Sequence, residues 1–202
     1  MMKKKGGLAM RTIYCYIYPD FADFEVTILL HRLRNAGGCR IVTIAETPEP
    51  VMAQSGLRYL PDMRIADADA SQADALIIPG GPIRNDQNAI LPLVRAMDVQ
   101  GKLLAAICFG PQFLARAGVL DARRFTTSCS PETAARQEGG DPFPRRNFQQ
   151  ARVVQDGHVI TAQGHAPVDF AAAVCRAFQV YSDPAREYGE LWKICDTDAW
   201  KA

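Results

Sequence analysis

A chain of 202 residues, 48% of them hydrophobic, fits one domain with a full-sized core. Its 23 Lys and Arg nearly cancel 22 Asp and Glu, and no basic stripe is interleaved with aromatics, so nucleic-acid binding is not expected. No apolar run reaches the roughly 18 to 20 residues that span a bilayer, and the six cysteines lack CxxC spacing, which argues for a reducing cytoplasm and against a secreted disulfide framework.

Residues 1–10, with Lys3, Lys4 and Lys5, read as a disordered extension before the candidate natural start Met10-Arg11. The run Ile13 to Tyr18 ends at Pro19-Asp20 without a small-residue cleavage pattern, so 12–18 is expected to be the first core strand and not a leader. A helix over 23–37 closes at Gly37-Gly38, and a strand follows at 39–45. Further along, strands are expected at 74–79, 103–107, 124–127, 151–155 and 158–162, and helices at 86–99, 111–118, 131–138 and 167–180. The least regular stretch runs from Asp141 to Asn147. This alternation predicts an α/β fold: one domain over 11–182, a three-layer sandwich with a mostly parallel, flavodoxin-like sheet flanked by helices. The tail, 183–202, carries Tyr188, Leu191, Trp192, Ile194 and Trp200 at helical spacing, a stripe suited to packing on the domain or on a subunit interface.

The chemistry concentrates at Leu103-Leu104-Ala105-Ala106-Ile107-Cys108-Phe109-Gly110-Pro111, where an apolar strand runs into a cysteine and a helix opens after Gly and Pro. That is the layout of a nucleophile elbow, which exposes one side chain at the carboxyl edge of a sheet. Nearby N–H groups and the helix dipole are expected to favour the thiolate. A buried core cysteine is the usual alternative, but it needs neither Gly110 nor a helix opening on its own backbone. A second apolar strand ends at Pro79-Gly80-Gly81-Pro82, and in a parallel sheet it ends on the same edge. The N–H groups of Gly81 and Phe109 are therefore candidate oxyanion donors, with Gly80 beside them.

Glu25 follows the proline turn after the first strand, which puts its carboxyl on that edge as a partner for Cys108; Asp20 and Asp23 read as ordinary helix-start acids. A carboxyl beside a thiolate is pushed toward its protonated form and can donate to sulfur. Of three histidines, His31 reads as a helix residue and His158 as part of a hairpin turn. His165 lies in Ile160-Thr161-Ala162-Gln163-Gly164-His165-Ala166-Pro167, again strand, glycine turn and helix start, and is the candidate base or pocket wall.

With Cys108, Glu25, Gly81 and the Gly164 turn, the chain resembles the ThiJ/PfpI superfamily, also called the DJ-one group, within the class I glutamine-amidotransferase-like fold. The likeness covers about residues 11 to 180 and is carried by Ala106 to Pro111, Leu114 to Thr127, and Ile77 to Gly81. It implies that Cys108 is the reactive cysteine, Glu25 the glutamate bonded to it, and Gly81 and Phe109 the backbone donors. It also implies a homodimer with neither metal nor cofactor; with composition and charge arguing against a membrane or nucleic-acid partner, the expected ligand is a small-molecule substrate.

Two departures from the family pattern matter. The peptidase-like branch has a histidine directly after its cysteine; Phe109 stands there, which argues against proteolysis. Some relatives carry a histidine after the Thr-Thr pair; here Ser128 stands there, a candidate for binding substrate or oxidised sulfur, followed by Cys129, read as a core cysteine or a resolving thiol. The expected function is a cysteine-dependent enzyme acting on a small carbonyl or amide-like substrate, hydrolase or glyoxalase/deglycase-like. The alternative is an oxidative-stress sensor or chaperone-like protein that uses oxidation of Cys108. A glutamine amidotransferase subunit is disfavoured, because no His-x-Glu pair follows His158 or His165.

Overall fold

In the computed structural model the described residues are 10–83, 88–137 and 139–194. They begin with β1 (Thr12–Tyr16), α1 (Phe24–Asn35) and β2 (Arg40–Ala45), followed by a two-stranded hairpin, β3 (Val51–Met52) with β4 (Arg58–Tyr59), and by β5 (Met63–Arg64). Next come β6 (Ala75–Ile78), α2 (Leu91–Val99), β7 (Leu103–Ile107), α3 (Pro111–Arg116) and α4 (Pro131–Ala135). The chain continues through β8 (Val153–Asp156), β9 (Val159–Ala162), α5 (Pro167–Ala177) and α6 (Pro184–Glu190). Seven strands form one sheet in the order β5-β2-β1-β6-β7-β9-β8, parallel except where β8 runs against β9.

The expected parallel core is present, and its strands are apolar on both faces because helices cover both. From β1 the chain steps outward to β2 through α1, and from β6 it steps the other way to β7 through α2. Right-handed crossovers then put α1 and α2 on opposite faces. Accordingly α1 packs on α5, and α2 on α3. Ala75 to Ile78, and Leu104 to Ile107, are fully buried between those layers.

The structure corrects the expected boundaries in several places. β1 stops at Tyr16, although Ile17 still donates to the Ile44 carbonyl (2.9 Å). The stretch expected as a strand at 124–127 joins the sheet nowhere and makes one isolated bridge, Phe125 to Phe148. It lies against β9, where the Thr126 N–H donates to the Thr161 hydroxyl (2.9 Å), but β9 is already paired with β7 on one side and β8 on the other. Phe125 instead stacks on Phe143 while Thr126 and Thr127 hydrogen-bond inward. The helices expected at 111–118 and 131–138 are shorter, six and five residues, and the start expected for the helix at 86–99 lies partly outside the described residues.

In the tail, α6 is tied to α1 by Arg32–Glu190 and to α5 by Arg176–Glu187, and Leu191 is fully buried. Tyr188 is exposed, and Trp200 lies outside the described residues. No helix among the described residues is long and apolar enough to cross a membrane.

Candidate active site

β7 delivers Cys108 one residue past its end, where the backbone turns with φ 61°. A side chain in that left-handed region costs roughly 1–2 kcal/mol, so the turn needs outside support. The Cys108 N–H donates to the Ala162 carbonyl (2.8 Å). Its carbonyl accepts from the Ser128 N–H (3.0 Å) and the Thr127 hydroxyl (2.7 Å). Gly110 follows, and a Cβ there would lie 2.5 and 2.7 Å from the carbonyl oxygens of Ile78 and Pro79. Its φ of −53° suits any residue, so glycine is required here by close packing of the turn against β6.

Glu25, in the first turn of α1, is 2% exposed. Its carboxylate accepts the Gly80 N–H (2.7 Å) and is hydrogen-bonded to the Cys108 thiol. Bare backbone flanks this pair on two sides. A Cβ on Gly80 would lie 2.6 Å from Glu25 Oε2 and 2.7 Å from Cys108 Cβ, and one on Gly164 would lie 2.7 Å from Cys108 Sγ. The structure thus brings Cys108, Glu25, Gly80, Gly164, Ser128 and Phe109 into one cluster, with the Ser128 hydroxyl beside the sulfur and the Phe109 N–H directed at it. The Gly80 N–H is committed to Glu25. Gly81 turns with φ 156° against the Tyr18 ring, 2.8 Å from where its Cβ would be, and the Tyr18 hydroxyl donates to the Pro79 carbonyl (3.0 Å).

Two other candidates have contacts of their own. His165 is exposed, and its imidazole acts electrostatically on Asp169, which Arg152 holds below the usual carboxylate range. Cys129 is buried with its thiol on the Ser130 carbonyl (3.7 Å). Sequence reasoning also missed two supports. Gln163 donates to the Thr126 hydroxyl (2.7 Å) and the Thr127 carbonyl (2.9 Å) and accepts from Ser128 (3.1 Å); Ser128 in turn accepts the Gly164 N–H (2.8 Å). Asp23, 4% exposed, accepts from Ser55 (2.5 Å) and Tyr59 (2.9 Å), pinning the β3–β4 hairpin over the start of α1. Burial raises the Asp23 carboxyl, but these bonds outweigh it and hold it below its ordinary value. An Asp two residues before Glu25 is the visible signal, indistinguishable in sequence from a helix-start acid.

The electrostatics reverse one expectation. Burial, and then the Glu25 charge, push the Cys108 thiol up to about 12, against smaller help from Ser128 and the Phe109 N–H. A six-residue helix and two donors do not offset a carboxylate in contact. Glu25 is itself raised by burial, less the bonds from Cys108 and Gly80. Both groups of the pair are thus raised, so both hold their protons more tightly than free groups do, and the Glu25 carboxyl is the proton acceptor in contact with the thiol.

A raised carboxyl pKa has a stability consequence. Below the ordinary Glu range both folded and unfolded chains hold the proton and nothing is lost; as pH rises from there to the raised native value, the fold loses stability. Glu25→Gln should therefore melt higher than wild type at pH 7, with the gain gone near pH ~3. Thermal unfolding across that range is the check, and equal melting at pH 7 would contradict the buried charge.

A pocket of about 370 Å³ opens beside the cluster, with Ser128 and Gln163 on its wall. A larger groove of about 690 Å³ runs along α2 between Glu46 and Gln100 and includes none of the cluster residues.

Comparison with known proteins matches residues 11–177 to the model of the DJ-1/PfpI family. The chain is 26% identical over 195 residues to a protein of Bacillus subtilis named uncharacterized protease YoaZ, covering 91% of each. It is 27% identical over 147 residues to deglycase TK1284 of Thermococcus kodakarensis, covering 71% of this chain and 84% of that one. Among solved structures, the DJ-1 superfamily protein Atu0886 of Agrobacterium tumefaciens superposes with a TM-score of 0.79 at 27% identity, covering 96% of this chain and all of that one.

Proposed function

The chain belongs to the DJ-1/PfpI family, and from that premise we propose that it is a cysteine-dependent enzyme acting on a small carbonyl or amide-like compound. The observation that carries this reading is the buried Glu25 carboxylate hydrogen-bonded to a cysteine in a strained turn. In the first step Glu25 takes the thiol proton as Cys108 sulfur attacks the carbonyl carbon. The S–C bond forms, the C=O electron pair moves to oxygen, and the N–H groups of Gly81 and Phe109 receive the oxyanion. With an amide, the proton on Glu25 then passes to the leaving nitrogen. Water, deprotonated by the same carboxylate, cleaves the thioester and restores the thiol. With an aldehyde, the same first step followed by return of the proton from Glu25 to the oxyanion gives a hemithioacetal. Relatives named deglycase make the aldehyde branch concrete.

In this mechanism Glu25 and not His165 moves the protons. A turnover screen on methylglyoxal and simple amides tests it, with intact mass to catch a Cys108 adduct. Glu25→Gln should lower kcat by about 10²- to 10⁴-fold and erase the acid limb of the pH profile, which burial shifts above the ordinary Glu range. His165→Ala should leave that limb in place. If the limb instead disappears with His165→Ala, the base is misassigned; absence of any turnover sinks the enzyme reading. The Phe109 N–H and the Ser128 hydroxyl at sulfur also favour the sensor alternative, because both can stabilise an oxidised sulfur. A clean gain of oxygen on Cys108 at low peroxide, with no turnover on any electrophile, would select it.

A further inference from the structure

The pocket of about 370 Å³ beside the cluster is larger than a three-carbon carbonyl compound needs. At ~30 Å³ per water it has room for about a dozen, and its volume lies within the range of ligand sites. Its wall is shared with the reacting centre, since Ser128 touches the Cys108 sulfur and Gln163 holds Ser128. The wall is also rigid, because both Gln163 amide hydrogens are tied to Thr126 and Thr127. Phe148 and Pro131 supply apolar faces, and the exposed Gln150 supplies an amide at the rim.

The charge of the pocket decides what enters. Arg145 is the charged residue on its lining. Its guanidinium grips Asp141 with two bonds (2.6 and 3.0 Å), donates to the Cys129 carbonyl (2.8 Å) and lies over the Phe143 ring, 4.6 Å from its centre. Asp141 cancels its charge, and Glu132 adds a further negative field on the same side. An anion gains little there.

We propose that this pocket holds the part of the substrate beyond the reacting carbonyl: an uncharged substituent with a flat apolar face and a hydrogen-bonding group. The proposal rests on the enzyme reading only in calling the ligand a substrate, since the pocket itself can be probed without chemistry at Cys108.

The test is a ligand-observed NMR titration of the Cys108→Ser chain, which lacks the nucleophile and so leaves amides intact, with three probes: acetamide, N-benzylacetamide and 4-(acetamidomethyl)benzoate. N-benzylacetamide should bind at least about tenfold more tightly than either other probe, about 1.4 kcal/mol. Gln150→Trp, a change at an exposed rim position, should bring its Kd back to that of acetamide. Equal affinity for all three probes, tighter binding of the benzoate, or an unchanged Kd in Gln150→Trp would each overturn the proposal. None of these results depends on turnover, so the pocket can fail while the enzyme reading stands, and the reverse.

Discussion

Cys108→Ser is expected to lower turnover at least about 10³-fold while leaving thermal unfolding close to that of wild type. The turn that carries residue 108 is clamped through its own N–H and carbonyl, by Ala162, Ser128 and Thr127, and serine keeps all three bonds. The hydroxyl is a weaker acid than a thiol already pushed up to about 12, so the Glu25 carboxylate cannot take its proton at useful cost. Steady-state kinetics beside a melting curve separates the two effects. Retained turnover would mean that the sulfur is not the nucleophile.

Gly164→Ala should cost about 10²-fold in kcat, the scale of an ångström-sized misplacement of reacting groups. The added Cβ would lie 2.7 Å from Cys108 Sγ, 3.0 Å from its Cβ and 3.1 Å from Glu25 Oε1. The thiol cannot swing far, because its backbone is held in place and Gly80 closes the other side. The same methyl at Gly110 meets carbonyl oxygens of the sheet and should act on folding instead, by about 1–3 kcal/mol. Measuring kcat and melting temperature for both variants distinguishes a crowded nucleophile from a displaced strand. A Gly164→Ala enzyme with wild-type kcat would show that the reacting groups adapt freely.

The parts of this molecule that were legible in sequence are those where pattern and geometry coincide. Three apolar strands each ending in a glycine turn, at Gly80, Gly110 and Gly164, mark one edge of a parallel sheet, and Glu25 follows a fourth strand on that edge. The β3–β4 hairpin and β5, two residues per strand, are too short to show a period of two. Phe125, Thr126 and Thr127 have strand propensity, but β9 has no edge left for them. The direction of the Cys108 shift was read wrongly because burial and the Glu25 contact are tertiary facts, whereas the helix start is a local one. His165 lies in the right turn but faces outward; adjacency in sequence fixes where a backbone goes, not where an imidazole points.

The three bonds that clamp Cys108 also set an order of assembly. Its donors and acceptor lie at 127, 128 and 162, so during synthesis β6 and β7 can pair long before the reactive residue is held. Until β9 has left the ribosome and docked, residue 108 is free to relax to a negative φ and its sulfur lacks a fixed orientation. Non-local closure of this kind is slow relative to helix formation. The nascent chain therefore carries its reactive sulfur through at least the 54 residues of synthesis that separate positions 108 and 162 without the means to use it.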